Sequence, residues 1–354
     1  MTTVGATAPV GVGLLGLGNS GWFYHAEANL TQSDRYRLVG VCAAGLARSR
    51  QAALAFGCRA YGGWDEMLAD PAVELVVIAL PHHLHRDAAV AAAAAGKHVL
   101  VEKPMAVTVA EADAMIEAAA AAGVILTVHQ QRRWEEDLQQ ILRMVRAGEV
   151  GKLWRIQVTR CHAGRYRTAG EESPHTGAEF LPWAHEKASG GGISSVVGPH
   201  PADALLQLAH EPVKSVAGQV HMQPGEDVDD FVGAEVIFES GLQGRLEVYR
   251  QPGVPPPRFV VYGSEGTIVG ADSTSVVVHR FDGTKTVVDG LSRPGRLGKE
   301  VYDGLYDAIR NGTPPPVTAA EGRAVVEVLE LALRSAEEGG VPLFPGLPPA
   351  TYQR

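Results

Sequence analysis

The sequence predicts an α/β protein with an N-terminal doubly wound parallel sheet, followed by an α+β half that carries a large, mostly antiparallel open sheet. Three observations predict this. Fully apolar runs of strand length, Val10 to Leu15 and Leu75 to Leu80, alternate with helical segments that stop at glycines as far as Val128. The first run enters Gly16, Gly18 and Gly21 in the spacing G-x-G-x-x-G. After Gly151 the texture changes to strands that alternate apolar and polar residues and are joined by short Gly/Asp turns.

At 354 residues the chain is long for one core, so two domains are expected, 1–129 and 130–354, with the C-terminal helices free to pack back on the first. Hydrophobic residues make up 45% and charged residues 20%, as in an ordinary globular protein. A net charge of −9 without a long basic run argues against nucleic acid as a partner. The start of the chain has no basic n-region, and the alanine tract ending at Gly96 is too short to span a bilayer. Three cysteines, Cys42, Cys58 and Cys161, lack metal-ligand spacing and fit reduced thiols. A cytoplasmic protein with no membrane partner is expected.

In the first half, the glycine stretch is the organising element. Gly16 permits the strand-to-helix turn, Gly18 lets backbone approach a pyrophosphate, and Gly21 lets the next helix pack closely. With Asn19 and Ser20 they present free N–H groups and the positive end of a helix to phosphates, the mark of a Rossmann dinucleotide site. Tyr36 to Ala43 reads as the second strand. An NAD site places a carboxylate at its end, whereas this chain has Ala43 and Ala44, with Arg48 and Arg50 nearby. Small neutral residues with arginine suit a 2′-phosphate, so NADP is favoured over NAD; both arginines on a solvated helix face is the plainer alternative.

Leu46 to Phe56 reads as a helix stopped by Gly57. The strand Leu75 to Leu80 ends in Pro81, His82, His83 and His85, where open α/β sheets bind ligands, so Pro81, His82 and His85 are expected to line the cofactor cleft. No metal site is expected among them. A helix from Arg86 to Ala95 and a strand from His98 to Val101 follow, delivering Glu102 and Lys103 to the same edge before Pro104 ends the ladder. Thr108 and Glu111 form a capping box for a helix that runs to Gly123, and Val124 to Val128 is the next strand.

In the second half, His129 to Gly148 reads as mostly one helix, with Leu138, Ile141, Leu142 and Val145 on helical spacing. Strands are expected at Leu153 to Val158, Val213 to Met222, Val232 to Phe238, Leu242 to Tyr249, Phe259 to Tyr262 and Ser275 to His279. Two helices, Lys299 to Arg310 and Thr318 to Glu338, close the chain. The open face of the sheet is a candidate surface for a homo-oligomer, dimer or tetramer. Between the strands, Gly190-Gly191-Gly192 through Gly198-Pro199-His200 reads as a loop that presents His200 at a helix start. Asp203 lies on roughly the same side, functional or simply solvated.

Together the glycines of 16–21, Glu102-Lys103-Pro104 and the Gly-Gly-Gly…Gly-Pro-His stretch closely resemble the glucose–fructose oxidoreductase/inositol dehydrogenase family over nearly the whole chain. His129-Gln130-Gln131-Arg132-Arg133-Trp134 resembles its branch of NADP-dependent scyllo-inositol dehydrogenase-like proteins. The resemblance implies Glu102 and Lys103 beside the cofactor, Lys103 near the nicotinamide and the reacting oxygen, and His200 as the proton donor or acceptor. It also implies an aspartate where this chain has Val196, which cannot ionise, and Thr-Pro-Asn where this chain has Leu80-Pro81-His82. Arg132, Tyr166 and His185, with Lys103 and His200, are the candidate substrate contacts, and Tyr166, His185 or Glu186 a substitute acid/base. The expected activity is NAD(P)-dependent hydride transfer to or from a carbohydrate-like small molecule. The loss of the aspartate motivates an alternative: a cofactor-binding protein without net dehydrogenase activity, such as a regulatory subunit, or a lyase or hydrolase that recycles NAD(H).

Overall fold

The computed structural model describes residues 8–162, 182–250, 252–292 and 298–346. Its first sheet has six parallel strands, β1 (Val10–Leu15), β2 (Tyr36–Cys42), β3 (Arg59–Ala60), β4 (Leu75–Ile78), β5 (His98–Val101) and β6 (Leu126–Val128). They lie in the order β3-β2-β1-β4-β5-β6. Every residue of β1 and β4 is buried, as strands covered on both faces require. The order reverses between β1 and β4, so the loops leaving their carboxyl ends part and open a crevice.

Several expected boundaries shift for physical reasons. The expected strand Leu75 to Leu80 stops at Ile78: Ala79 still donates to the Leu15 carbonyl at 2.7 Å, and Pro81 then brings no N–H. The last strand of this sheet begins at Leu126 rather than Val124. The strand β3 and the helix Trp64–Leu68 were not foreseen, being too short to show a period. The capping box at Thr108 forms as expected, and a second one at Thr318 and Glu321 opens the last helix.

The second sheet has eight strands, β7 (Leu153–His162), β8 (Val213–His221), β9 (Phe231–Phe238), β10 (Gln243–Arg250), β11 (Phe259–Gly263), β12 (Gly266–Gly270), β13 (Ser275–Arg280) and β14 (Lys285–Asp289). Their order is β14-β13-β12-β11-β7-β10-β9-β8, antiparallel except where β10 runs parallel to β7. The strands β12 and β14 escaped the sequence reading, and β7 runs on to His162. One face is covered by the helices Glu136–Arg146, Pro199–Ala209 and Ala319–Glu337, whose apolar residues share a core with Ile156, Val236, Leu246 and Val261. The other face is open: Trp154 is 51% exposed and its ring lies 5.1 Å from that of Tyr262.

The expected single helix from His129 to Gly148 is two pieces. A turn of 3₁₀ helix, Gln131–Trp134, and the helix Glu136–Arg146 are separated by Glu135 in extended backbone (φ −60°, ψ 133°). The break lets the Glu135 carboxylate meet Arg132, Arg160 and Arg258.

The C-terminal helices join the halves. Lys299–Asn311 buries Val301, Tyr302 and Leu305 against Val10, Val12 and Leu14. In Ala319–Glu337, Val326 packs with Met105 and Val128 of the first core, while Val325, Val328 and Leu329 pack in the second. Among the described residues no helix is long and apolar enough to cross a membrane.

Asp203 is neither solvated nor in the cleft. It is buried and holds Arg133 through Oδ2 to Nε (3.1 Å) and Oδ1 to Nη2 (2.6 Å), and Arg133 also donates to Glu321 at 3.1 Å. Removing one partner of such a buried pair leaves a charge without compensation. Asp203→Ala is therefore predicted to lower unfolding stability by about 3–5 kcal/mol. Thermal and urea denaturation check it, and a loss below about 1 kcal/mol would place the bond among surface pairs.

Candidate active site

The crevice at the carboxyl ends of β1 and β4 is shaped by the glycines. Gly16 has φ +95°, and a Cβ there would meet the Ala79 carbonyl oxygen at 2.2 Å. At Gly21 a Cβ would meet the Gly16 carbonyl oxygen at 2.0 Å, so the helix Ser20–Leu30 approaches the turn as only glycine permits. Above Gly18 there is open space, with no atom within 4 Å of a Cβ built there. Asn19 and Ser20, both partly buried, begin the helix beside this space. The turn, the helix start and the room above Gly18 together fit a pyrophosphate.

At the end of β2, the Ala43 N–H donates to Ser49 Oγ at 3.0 Å, and Arg48 Nη2 donates to the Leu17 carbonyl at 2.7 Å. Arg48 is thus held against the glycine turn, whereas Arg50 is exposed on the helix surface.

Glu102 and Lys103 leave β5 back to back. The Glu102 carboxylate is buried and accepts from His25 Nε2 and His129 Nδ1, each at 3.1 Å, and from the Lys103 backbone N–H at 3.1 Å. His25 Nδ1 in turn lies 2.8 Å from the Tyr302 hydroxyl. Burial alone would push this carboxyl up, but His129 and His25 hold it well below the usual carboxylate range. Lys103 is left to turn its ammonium the other way, where Nζ donates to the Val196 carbonyl at 2.8 Å.

The loop that carries Val196 and His200 is pinned from two sides. Ser194 donates from its N–H and Oγ to the buried Asp229 carboxylate, at 2.7 and 2.8 Å. His82 Nδ1 donates to the Gly190 carbonyl at 2.8 Å, and the Trp183 ring packs at 4.4 Å from the His82 ring. Within this frame His200, at the start of the helix Pro199–Ala209, keeps its Nδ1 buried with no hydrogen-bond partner among the described residues. Burial, and then the charges of Lys103, Arg132 and Arg160, push the His200 imidazole well below the ordinary histidine value. It is neutral at neutral pH and has a lone pair available.

Arginines complete the site. Arg132, Arg160, Arg258 and His200 line one small recess. Arg160 is bidentate on Glu135 (3.0 and 3.1 Å), while Arg132 and Arg258 each reach one oxygen of the same carboxylate.

Comparison with known proteins fits this arrangement. The family profile described as "Oxidoreductase family, NAD-binding Rossmann fold" matches residues 10–130, and that of the "GFO/IDH/MocA C-terminal domain" matches residues 138–269. The chain belongs to the Gfo/Idh/MocA oxidoreductase family. It is 27% identical over 356 residues to the scyllo-inositol 2-dehydrogenase (NADP(+)) of Bacillus subtilis, covering 92% of this chain and 94% of that protein. It is 30% identical over 267 residues to the 1,5-anhydro-D-fructose reductase of Ensifer adhaerens, covering 73% and 76%. The solved structure of an NAD-binding protein from Listeria innocua superposes with a TM-score of 0.80 at 28% identity, over 95% of this chain and 96% of that one.

For this Gfo/Idh/MocA protein the structure brings some expected residues together and sends others elsewhere. Gly16, Gly18, Asn19, Ser20, Gly21, Ala43, Arg48 and Pro81 follow the carboxyl ends of β1, β2 and β4, Arg132 and His200 line one recess, and Lys103 Nζ reaches the Val196 carbonyl. Three of the expected cofactor positions have protein partners of their own. His82 is committed to Gly190, and His85 is fully enclosed between the Leu80 and Pro104 carbonyls, each 2.9 Å from a ring nitrogen. Glu102 has its carboxylate occupied beneath Lys103. His185 closes the turn Pro182–His185, and Tyr166 lies outside the described residues. Glu135, Arg160, Arg258 and Asp229 were missed: only strand alternation around Arg160 hinted at a facing side.

These geometries separate two glycine variants. Gly18→Ala is predicted to keep the melting point within a few degrees yet weaken dinucleotide binding at least about tenfold, because the methyl enters ligand space only. Gly21→Ala is predicted to destabilise the fold itself. Fluorescence titration beside thermal melting reads both.

Proposed function

We propose that the protein is an NADP-preferring oxidoreductase of sugars, polyols or related hydroxy and keto compounds, with Lys103 and His200 as its catalytic residues. The observation that carries this is the pairing of a buried-side ammonium on Lys103 with an imidazole on His200 whose Nδ1 has no partner among the described residues. Bound nicotinamide dinucleotide supplies the hydride acceptor or donor. Lys103 stabilises the alkoxide that develops on the reacting oxygen, an electrostatic effect worth several kcal/mol in a site that excludes water. His200 takes the hydroxyl proton in oxidation and returns it in reduction, worth about 10² to 10⁴ in rate. Arg132 and His185 border the substrate. The relatives named as an inositol dehydrogenase and an anhydro-fructose reductase support this substrate class.

The NADP preference is supported by Arg48 at the glycine turn and by the uncharged Ala43 and Ala44 after β2. Titration with NADPH and NADH tests it, with tighter NADPH binding that Arg48→Ala abolishes. The open sheet face, with Trp154 exposed, supports a homo-oligomer, and the setting that suits its unpaired cysteines is the cytoplasm. Light scattering that finds a strict monomer would remove the oligomer.

The pH dependence follows from the two groups. In alcohol oxidation His200 must be neutral, so activity is lost as pH falls through its lowered pKa, giving an acid limb below pH 6.5. Burial first of all lowers Lys103 as well, so the ammonium is lost on the alkaline side earlier than for an ordinary lysine. A carboxylate introduced by Val196→Asp stabilises the imidazolium and is predicted to move the acid limb up by about one unit or more while raising turnover of neutral substrates. The kcat/KM profile over pH checks it; an unmoved limb would take His200 out of the proton transfer.

A further inference from the structure

We propose that the substrate is an acidic polyol, one that sets a carboxylate or phosphate against Arg132 and Arg160 while its reacting carbon–oxygen bond lies at Lys103. This inference rests on the oxidoreductase reading above and names the chemistry its site recognises.

The argument is a matter of charge and lone pairs. Three cations line the recess, Arg132, Arg160 and Arg258, and Lys103 stands near enough to feel the charges of Arg132 and Arg160. Of the carboxylates around them, Glu135 and Glu102 are fully engaged, and Asp137 has only an ion pair, its oxygens making no hydrogen bond among the described residues. Glu135 takes two contacts from Arg160 and one each from Arg132 and Arg258, which fills the roughly four lone-pair positions a carboxylate has. Asp137 lies 3.0 Å from Arg258 Nη1, and burial pushes its carboxyl up toward the neutral form. Glu102 sits behind Lys103 and serves His25, His129 and a backbone N–H.

The cations keep unused capacity on the cleft side. Among the described residues the Lys103 ammonium donates only to the neutral carbonyl of Val196. Arg132 Nε is buried with no hydrogen-bond partner among the described residues, as is Nδ1 of His200, which lines the same recess. Burial and then the neighbouring Arg132 charge lower Arg160 to about 10, against the opposing pull of Glu135. A buried charge without a counter-ion is costly, and a ligand that brings one removes that cost. A neutral polyol offers Arg132 only weaker neutral acceptors, whereas a carboxylate or phosphate accepts from guanidinium in charge-assisted bonds. The acid group takes no part in bond-making. In oxidation the carbinol C–H bond breaks and its electron pair leaves as hydride to oxidised NADP, the O–H proton goes to His200, and the C=O bond forms.

Calorimetric titration of the full-length protein saturated with NADPH, using glucose, glucuronate and glucose phosphate, tests this. Either acid is expected to bind at least about tenfold tighter than glucose, and which of the two binds tighter separates carboxylate from phosphate. Raising the salt is expected to weaken the acid alone. Arg132→Gln is expected to erase most of the advantage, and Arg132→Lys to retain part of it, with NADPH affinity unchanged in both. Equal binding of the three sugars, failure of both acids to bind, or an acid advantage untouched by salt would overturn the inference. In each of those cases intact NADPH binding leaves the oxidoreductase reading standing; loss of dinucleotide binding would instead sink that reading.

Discussion

The buried carboxylate of Glu102 is the constraint on which the site depends. It stands at the end of β5 and takes imidazole donors from His25 on the first helix and His129 after β6, and it also accepts the N–H of Lys103. An ionised carboxyl at this depth is tolerated only because those donors replace water. Their arrangement leaves Lys103 no carboxylate to fold back on, so its ammonium faces the second half of the molecule. The reach of Tyr302 to His25 extends the same network to the helix Lys299–Asn311, so the C-terminal part of the chain steadies the first sheet.

The second half answers with its own buried polar joints. Arg133, just past β6, is clamped by Asp203 and Glu321 from two different helices, and Asp229 fixes the loop before His200. These groups do no chemistry. They set the distance between a lysine anchored in one sheet and a histidine anchored on the other, which is the quantity a two-domain hydride-transfer site must hold constant.

Valine at 196 changes the electrostatics of that meeting. A carbonyl dipole, not a carboxylate, takes the ammonium, and among the described residues the imidazole has no anionic partner. Positive charge at the cleft is then balanced by Glu135 and Asp137, each ion-paired with arginine. His200 is lowered first by burial and then by its cationic neighbours, and Lys103 has no carboxylate in contact among the described residues.

Local rules made much of this legible. The turn at Gly16, the stop at Pro104, the capping box at Thr108 and the alternation in the second sheet each follow from neighbours in sequence, because φ/ψ limits, missing N–H groups and side-chain period act over a few residues. His82, His85 and Glu102 stand at the expected strand ends, but their protein partners were not legible there, since a strand end does not say what a side chain faces. Glu135, Arg160 and Arg258 were invisible: they meet across 25 and 123 positions in the chain, and their meeting requires the helix break at Glu135. Sequence alone determined the glycine turn and the strand end that carries Lys103. Only the tertiary structure decided the charge surrounding that lysine, because electrostatic balance is a sum over groups that folding, and not chain order, brings within reach.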